Sequence, residues 1–366
     1  MKWIWKGLLG LVLLLVLAVG SGLGYRAWRQ HEGEASMRIA TPSGVDDALF
    51  VEIGGTQQWV TIRGQDRDNP VILVLHGGPG SAIAGLAPAF VPWERDFTVV
   101  QWDQPGAGRT FRAAGRSIAP DLTIDSMVND GIELTEWLRT RLGKDKIVLL
   151  GWSWGTILGV HMAHARPDLF AAYVGTGQVV AMEEGEAIAY ANVLARARQR
   201  DDAAAIAELE ALGAPPYAGL EEIATQRKWA TQYEAGMSLE AAFVLPQLFA
   251  PRTQLADIYD LATATAAAGQ HFVGADMKGP MTEIDLRKLG ADFALPVFVI
   301  QGTADDFTPA ELSRAWLGSL TAPQKEFVPI DNAGHFALTS HGEEFLEALR
   351  GHVRPLAAPP NVNGAL

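Results

Sequence analysis

The chain has 366 residues, of which 48% are hydrophobic and 19% charged, and its formal net charge is −13. This composition is typical of a globular protein and excludes a largely disordered chain. The acidic balance and the lack of a basic stripe argue against a nucleic-acid partner. The chain contains no cysteine, which excludes disulfide bonds, thiolate metal sites and a cysteine nucleophile.

Residues 1–29 are predicted to form a membrane anchor that precedes the folded domain. Residues 7–25 are uncharged and rich in Leu and Val, and about 20 apolar residues span a bilayer as a helix. Trp5 and Trp28 occupy the positions of interfacial aromatic residues. A signal peptide that is cleaved to release a secreted protein is the alternative, but the apolar run is long for one and no Ala-x-Ala site follows it. We expect an uncleaved single-pass helix, a folded domain outside the cytoplasm, and a polar linker over residues 30–44.

Short apolar segments alternate with helical patterns along the rest of the chain, which predicts an α/β fold with a mostly parallel sheet and helices on both faces. Residues 45–62 are expected to form a hairpin around Gly54 and Gly55. Apolar residues recur every three to four positions over residues 123–142, which predicts an amphipathic helix that ends at Gly143. Further strands are predicted at 71–75, 97–102, 146–150, 169–175, 297–301 and 327–330, and further helices at 156–166, 309–320 and 342–353.

Residues 179–289 interrupt this alternation between strands and helices. They are rich in Ala, Glu and Gln and favour helices at 185–198, 203–212 and 220–233. A separate helical domain is the alternative, but insertion between two core strands favours a helical cap over the site. The predicted organisation is an anchor (1–29), a linker (30–44), two parts of one core (45–178 and 290–355), the cap (179–289) and a C-terminal tail (356–366).

A Gly-x-Ser-x-Gly pattern occupies residues 151–155, directly after a predicted strand and before a predicted helix. A serine on a sharp strand-to-helix turn is how an α/β-hydrolase presents its nucleophile, and the glycines allow the strained turn and the close packing around it. The pattern predicts Ser153 as a catalytic nucleophile. The backbone N–H of Trp154 is expected to donate to the developing oxyanion. A serine in an ordinary tight turn is the alternative.

A serine nucleophile needs a base, and the base needs an acid that fixes its tautomer. In this fold the three follow one another in the order serine, acid, histidine. Asp305 and Asp306 follow one late predicted strand, and His335 follows the last one. We therefore predict a triad of Ser153, Asp305 and His335, with the adjacent Asp306 as the alternative acid.

Two glycine-rich loops follow other predicted strands. Residues 76–80 carry three glycines, which allow backbone amides to approach a substrate closely. We expect the N–H of Gly78 to be the second oxyanion donor and Gly77 to contact the substrate. A phosphate-binding loop is the alternative, but the lysine of the Walker pattern is missing. Residues 102–110 are expected to shape the wall of the site and to brace the Gly78 loop.

Three motifs together resemble those of the proline iminopeptidases (prolyl aminopeptidases), which are α/β-hydrolases. They are His-Gly-Gly-Pro-Gly at residues 76–80, Asp-Gln-x-Gly-x-Gly at residues 103–108 and Gly-x-Ser-Trp-Gly at residues 151–155. The resemblance covers residues 45–353, and the core matches better than the cap. It implies the release of an N-terminal residue, often proline, from short peptides, with the triad and oxyanion roles given above.

Members of this family bind the free α-amino group through glutamates in the cap, one of them in a Trp-x-x-Trp-Glu pattern. Residues 229–234 are similar to this pattern but one residue longer, with Tyr233 in place of the second tryptophan. The resemblance implies Glu234 as an amine anchor, and a solvated helix residue is the alternative. Pro105 and Trp152 also differ from the usual family residues. These differences concern the strict preference for proline and leave the hydrolase prediction unchanged.

We expect a serine aminopeptidase that acts on short peptides and requires no metal or organic cofactor. A general carboxylesterase or amidase on the same scaffold is the second hypothesis. A membrane-anchored binding protein is the third, and the intact order of serine, acid and histidine disfavours it. The expected partners are a small peptide, amide or ester substrate and, through residues 1–29, a membrane; the sequence does not define the oligomeric state.

Overall fold

The protein is built around one twisted sheet with helices on both of its faces. The structure is a computed structural model that describes residues 2–235 and 237–357. The strands are β1 (Val45–Ile53), β2 (Thr56–Gly64), β3 (Val71–Leu75), β4 (Thr98–Trp102), β5 (Ile147–Trp152), β6 (Phe170–Thr176), β7 (Val297–Gly302) and β8 (Lys325–Ile330). They are arranged in the order β1-β2-β4-β3-β5-β6-β7-β8. β2 is antiparallel to both β1 and β4, and the other pairings are parallel, which confirms the predicted fold class.

The α-helices cover the sheet and form the insertion between β6 and β7. They are α1 (Lys2–Ser36), α2 (Ala87–Phe90), α3 (Gly108–Ala113), α4 (Ile124–Leu142), α5 (Trp154–Ala165), α6 (Met182–Gln199), α7 (Ala203–Leu212), α8 (Leu220–Ala235), α9 (Leu245–Phe249), α10 (Leu255–Phe272), α11 (Ala310–Ser319), α12 (Ala337–Ser340), α13 (Gly342–Ala348) and α14 (Arg354–Ala357). Shorter 3₁₀-helices span Ala84–Leu86, Val91–Arg95, Pro167–Leu169 and Leu286–Leu289, and π-helices span Glu240–Val244 and Leu349–Val353.

The central strands β3 to β7 are buried at every position because both faces of the sheet are covered. Successive side chains of a strand point to opposite faces. Leu149 of β5 therefore belongs to the apolar cluster formed with α4, α5 and α11. Val148 and Leu150 of the same strand belong to a second cluster on the other face, with α13 and the segment around Trp93. This burial explains why β5 reads as an uninterrupted apolar run.

The predicted helix over residues 123–142 is confirmed, with both of its end signals. Thr123 is the N-cap, and its side chain accepts a hydrogen bond from the backbone N–H of Ser126. Gly143 ends the helix with φ 64°, a left-handed conformation that favours glycine. The helix buries its apolar face against the sheet, as its periodicity indicates.

Helices α6 to α10 lie between β6 and β7 and cover the carboxyl ends of the strands. The three helices predicted in this insertion are present, and α7 spans the predicted residues. These helices have an apolar cluster of their own, which includes Val193, Leu209 and Ala230. Helix α10 had no counterpart in the sequence-based prediction, although it buries Leu261, Ala264 and Phe272 on one face.

Helix α1 continues through residue 36, so the prediction of a polar linker over residues 30–44 is wrong for its first seven residues. The segment Trp3–Ser36 is long and apolar enough to cross a membrane, by length and composition. The last turns of α1 pack against the cap, where Gln30 Nε2 donates to the carbonyl oxygen atoms of Ala250 and Thr253 at 2.8 Å each. Tertiary contacts therefore stabilise helix where the polar sequence indicated a linker.

The C-terminal boundary also differs slightly from the prediction. The last described helix, α14, extends to Ala357, so the first two residues of the predicted tail (356–366) are helical. Residues 358–366 lie outside the described part of the chain.

Candidate active site

Ser153 lies on the sharp turn between β5 and α5 that the glycine pattern predicts. Its backbone has φ 55° and ψ −121°, a strained conformation for a residue with a side chain. Its N–H donates to the carbonyl oxygen of Thr176 at 3.0 Å, which fixes the turn to the neighbouring strand. A Cβ on Gly155 would overlap the carbonyl of Leu75, and a Cβ on Gly151 would lie 2.7 Å from the carbonyl oxygen of Gly155. Both flanking glycines are therefore required by packing.

His335 and Asp305 form a buried pair on the loops that follow β8 and β7. His335 Nδ1 lies 3.1 Å from each carboxylate oxygen of Asp305. Asp305 also accepts hydrogen bonds from the backbone N–H groups of Phe307 and Thr308 at 2.9 Å, and from the Thr308 hydroxyl at 2.8 Å. Asp306 instead faces Arg196 of the cap at 2.9 Å. Of the two adjacent aspartates, the geometry pairs Asp305 with the histidine.

The two aspartates differ in charge because their surroundings differ. Burial favours the neutral form of Asp305, but His335 and the hydrogen-bond donors outweigh it, so the pKa of Asp305 is lowered. Burial raises the pKa of Asp306 to about 7, although Arg196 opposes this shift. The Arg196 contact is imperfect, since no well-aligned hydrogen bond reaches Asp306 Oδ2. Asp305 is thus the ionised partner that a triad requires.

The imidazole of His335 is held in one orientation by aromatic and backbone contacts. Its ring stacks on Phe307, with centroids 4.6 Å apart and planes at 12°. Trp152 Nε1 donates to the backbone carbonyl of His335 at 3.1 Å, so this departure from the usual family residue has a structural role. Gly177 leaves room for this ring, because a Cβ at that position would lie only 2.7 Å from His335 Cε1. Ser153 and His335 line the same cavity.

The two expected oxyanion donors lie on loops that are joined by Gln104. Its side-chain nitrogen donates to the carbonyl oxygen of His76 at 3.2 Å, and its side-chain oxygen accepts from Trp154 Nε1 at 3.0 Å. The loop at residues 102–110 therefore braces the glycine-rich loop, as predicted. In residues 2–235 and 237–357, no acceptor is hydrogen-bonded to the backbone N–H of Gly78 or Trp154. Both N–H groups are thus available to a ligand.

His76 and Gly77 complete this loop. Burial lowers the pKa of His76 to about 4, so its ring is neutral. Its Nε2 accepts from the backbone N–H of Gln104 at 3.3 Å, and its Nδ1 lies 2.8 Å from the carbonyl oxygen of Gly77. Gly77 lines the cavity, and a Cβ there would lie 3.2 Å from Ser153 Cβ. The absence of a side chain at Gly77 thus allows a substrate to lie close to the serine.

Glu234 does not occupy the place that the resemblance implies. Its Oε1 accepts a hydrogen bond from the backbone N–H of Asp306, and its Oε2 accepts one from the backbone N–H of His335, both at 2.8 Å. Gly334 has no room for a Cβ because the Glu234 carboxylate occupies that space. Burial and the charge of Asp305 raise the pKa of Glu234 well above its ordinary value. Glu234 is not one of the described residues that line the cavity. Its carboxylate instead binds the backbone of the loops that carry Asp305 and His335, so the structure does not support the amine-anchor prediction.

The cavity above Ser153 has a volume of about 620 Å³ and is lined mainly by apolar side chains of the cap and core. Apart from His335, the ionisable side chains among the described residues that line the cavity are Glu186 of α6 and Arg227 of α8. These two side chains form an ion pair. Glu186 is 7% exposed, and its Oε2 has no hydrogen-bond partner among the described residues. The Arg227 guanidinium lies 4.9 Å from the ring centre of Phe307. The cap thus places one carboxylate and one guanidinium in an apolar cavity.

Sequence reasoning did not identify Glu186. Helix α6 begins with several acidic residues, and Glu183 and Glu184 are exposed. Which of them faces the cavity depends on the rotation of α6 about its axis, and its hydrophobic pattern is too weak to define that rotation. The only indication in the sequence was that Glu186 lies in a helix predicted to belong to the cap over the site.

Comparison with known proteins agrees with this architecture. Residues 70–341 match the model of the alpha/beta hydrolase fold family. The chain belongs to the α/β-hydrolase family. The probable aminopeptidase YbaC of Bacillus subtilis is 30% identical over 309 residues, which cover 83% of this chain and 95% of that protein. A probable proline iminopeptidase of Streptomyces coelicolor is 38% identical over 133 residues, which cover 35% of this chain and 38% of that protein.

The fold of this hydrolase also matches a solved structure. The proline iminopeptidase of Mycobacterium smegmatis superposes with a TM-score of 0.61 and 20% identity, over 86% of this chain and all of that one. At this identity the match shows the fold alone. The named relatives confirm the resemblance to the proline iminopeptidases that the three motifs indicate.

Proposed function

We propose that this hydrolase is a serine aminopeptidase that releases an N-terminal residue from short peptides. The observation that carries the proposal is the position of Ser153 on a strained turn in the cavity that also contains His335, which is paired with Asp305. The aminopeptidase assignment is supported by the relatives, including one that aligns over 95% of its own length. The preference for proline rests on the relatives' names and the three motifs.

The proposed reaction follows the serine-hydrolase pattern. Ser153 Oγ attacks the carbonyl carbon of the first residue while His335 Nε2 accepts its proton, and Asp305 stabilises the resulting imidazolium. The backbone N–H groups of Gly78 and Trp154 donate to the oxyanion of the tetrahedral intermediate. His335 then returns the proton to the departing amine, which leaves an acyl group on Ser153. Water activated by His335 hydrolyses this ester and regenerates the enzyme.

Glu186 is the carboxylate that we assign to the substrate's free amine. An ammonium group enters an apolar cavity at a high cost in free energy unless a fixed negative charge meets it. Glu186 lines the cavity, and Arg227 orients its Oε1 and leaves Oε2 without a protein donor. A small shift of this side chain would bring Oε2 to an ammonium group. Gly77, which lines the cavity beside Ser153, would contact the backbone of the substrate.

The test compares proline p-nitroanilide with its N-acetylated form, using the wild type and Glu186→Gln. We expect cleavage of the free-amine substrate alone, and a decrease in kcat/KM of about 10- to 100-fold in the variant, because a charge-assisted hydrogen bond contributes roughly 1.5–3 kcal/mol. Glu183→Gln on the same helix is the matched control, since Glu183 is exposed. Equal cleavage of both substrates, or an unaffected Glu186→Gln variant, would contradict the amine-recognition role.

A general esterase or amidase on the same scaffold is the second candidate. It is favoured by the largely apolar cavity and by the pairing of Glu186 with Arg227, which reduces the negative charge available to an amine. In that case simple p-nitrophenyl esters and the N-acetylated amide would be cleaved, and removal of the Glu186 charge would have little effect. The triad and oxyanion roles are the same in both candidates.

We further propose that α1 is an uncleaved membrane anchor with the catalytic domain outside the cytoplasm. Support comes from the length and apolarity of Trp3–Ser36 and from the aromatic residues at both ends of the apolar run. The membrane and a small peptide, amide or ester are the proposed partners.

A further inference from the structure

Helix α1 contacts the cap at the point where its apolar segment ends. Residues 7–25 contain no charged side chain, and Arg26 is the first charge after them. Arg26 Nε donates to the carbonyl oxygen of Leu248 at 2.9 Å, and its guanidinium also bonds the carbonyl of Thr253. The first cation beyond the apolar segment is therefore bound to the backbone of the cap.

This contact continues over the next turns of α1, so the cap is fixed to the helix. Gln30 bonds two cap carbonyls, as described above, and Glu34 pairs with Arg252 at 2.6 Å. On the other side of Arg26, the ring of Tyr25 meets the ring of Phe249 with centroids 5.6 Å apart. Tyr25 is the last residue of the uncharged segment, so Phe249 lies beside the end of that segment.

The length of the apolar segment relates this contact to the depth of a bilayer. At about 1.5 Å per residue, residues 7–25 extend roughly 28 Å, close to the hydrocarbon thickness of about 30 Å. If this segment spans the hydrocarbon, Tyr25 and Arg26 lie at its boundary. The cap residues bonded to Arg26 then lie within the headgroup layer, which is roughly 5–8 Å thick on each side.

Exposed apolar side chains are concentrated on this part of the cap. Outside α1, the described chain has eight large hydrophobic side chains that are exposed, and five of them fall within residues 237–259. These five are Met237 (45%), Leu239 (38%), Leu245 (48%), Leu255 (51%) and Tyr259 (59%). Leu245 precedes Phe249 by one turn of α9, so both lie on the same face of that helix. Leu255 is two residues beyond Thr253, which Arg26 bonds.

We propose that residues 237–259 of the cap form a bilayer-contacting surface, seated on the membrane that α1 enters. The partner is a phospholipid surface: Leu245, Leu255 and Tyr259 enter the interfacial layer, while Arg26 and Arg29 lie at the level of the phosphates. Phe243 and Val244 of the same segment line the catalytic cavity. One wall of the cavity therefore lies at the membrane. This inference rests on the proposed membrane anchor and not on the proposed reaction.

The absence of native cysteine allows a direct test with the full-length chain, because one introduced cysteine is a unique labelling site. Leu245→Cys, Leu255→Cys and Tyr259→Cys are labelled with an environment-sensitive fluorophore and reconstituted in vesicles of phosphatidylcholine and phosphatidylglycerol that contain spin-labelled lipid. Leu15→Cys in α1 reports insertion of the helix. Asp168→Cys is the control: it is exposed and precedes β6, at the edge of the sheet opposite to the cavity.

We expect lipid quenching of the three cap labels to be at least threefold stronger than quenching of the label at position 168, with position 15 quenched most strongly. Cap labels that are quenched no more than position 168, while position 15 is quenched, would overturn the proposal. Cap labels that are shielded from water but unquenched by lipid would assign the surface to a second copy of the chain and also overturn it. An unquenched label at position 15 would show that α1 is not inserted in the bilayer and would also overturn the proposal. Since none of these readouts uses catalysis, failure of the proposed reaction would leave the result unchanged.

Discussion

At the scale of single residues, Glu234 connects the loops that carry the acid and the base. Its two carboxylate oxygens accept from the backbone of Asp306 and of His335, and Gln226 of the same helix donates to the carbonyl oxygen of Asp306 at 3.2 Å. Helix α8 thus binds both the N–H and the carbonyl oxygen of Asp306, in the loop that carries Asp305. Because the proposed mechanism requires His335 to direct Nε2 at Ser153, we expect a shift of either loop to misalign the proposed base.

Truncation of this residue should therefore reduce turnover more than substrate binding. We expect Glu234→Ala to lower kcat by about 10- to 100-fold with little change in KM, because unpaired buried donors cost roughly 1–3 kcal/mol each. Glu234→Gln keeps one acceptor oxygen and should be intermediate. Steady-state kinetics on the free-amine anilide measures both constants, with the exposed Glu221→Gln on the same helix as control. A higher KM for free-amine substrates with kcat unchanged would instead restore the amine-anchor role.

At the scale of secondary-structure elements, the loop after β4 places the buried carboxyl group of Asp103 next to Gln104, which contacts the site. Asp103 is 2% exposed, and its Oδ2 accepts from the backbone N–H of Arg109 at 2.8 Å. The next residue, Gln104, joins the glycine-rich loop to Trp154 at the start of α5, and these two segments carry the proposed oxyanion donors. Burial raises the pKa of Asp103 to about 7, and the Arg109 N–H opposes this shift only in part.

Asp103 should therefore make the stability of the fold depend on pH. Its ordinary pKa is 3.8, so between about pH 4 and pH 7 the folded chain holds a proton that the unfolded chain has released. Stability is then highest at the acidic end and falls as the pH rises through 7, by at most about 1.4 kcal/mol per pH unit for one group. Asp103→Asn should flatten this fall in chemical denaturation from pH 5 to 8, whereas the exposed Asp121→Asn should not. Parallel curves for all three proteins would contradict the role of Asp103.

The elements themselves were largely predictable, because strand and helix patterns depend on local sequence. The strand before Ser153, the glycine turn and the Thr123–Gly143 helix all carry signals within a few residues. The roles of Glu186 and Glu234 were not predictable, since they depend on how α6 and α8 pack over the sheet. Glu234 matched a family pattern in sequence, yet the packing of α8 directs its carboxylate behind the triad.

At the scale of the whole molecule, the end of α1 is part of the folded domain. Met37, directly after α1, is 1% exposed, and its carbonyl accepts from the buried Arg63. Arg63 in turn pairs with Glu94 at 2.7 Å. These contacts join segments far apart in the sequence, so no local pattern could indicate them, and residues 30–36 read as a linker for this reason.

The position at which the chain is truncated should therefore affect its stability. A chain that begins at Arg38 loses the burial of Met37 and the contacts of α1 with the cap, whereas a chain that begins at Gly24 retains both. Loss of a buried methionine alone costs roughly 2–5 kcal/mol, which corresponds to roughly 3–7 °C in Tm for a domain of this size. Thermal unfolding by circular dichroism compares the two chains. Equal Tm values would show that the end of α1 contributes little to the fold.

The central claim is that Ser153 is the nucleophile of this hydrolase, and mass spectrometry after reaction with a fluorophosphonate tests it most directly. The wild type should gain one phosphonyl group, located on the peptide that contains Ser153, and should lose activity in proportion. Ser153→Ala should remain unmodified while folding like the wild type. A wild-type chain that stays unlabelled, or one that is labelled on another residue and loses activity, would contradict the assignment.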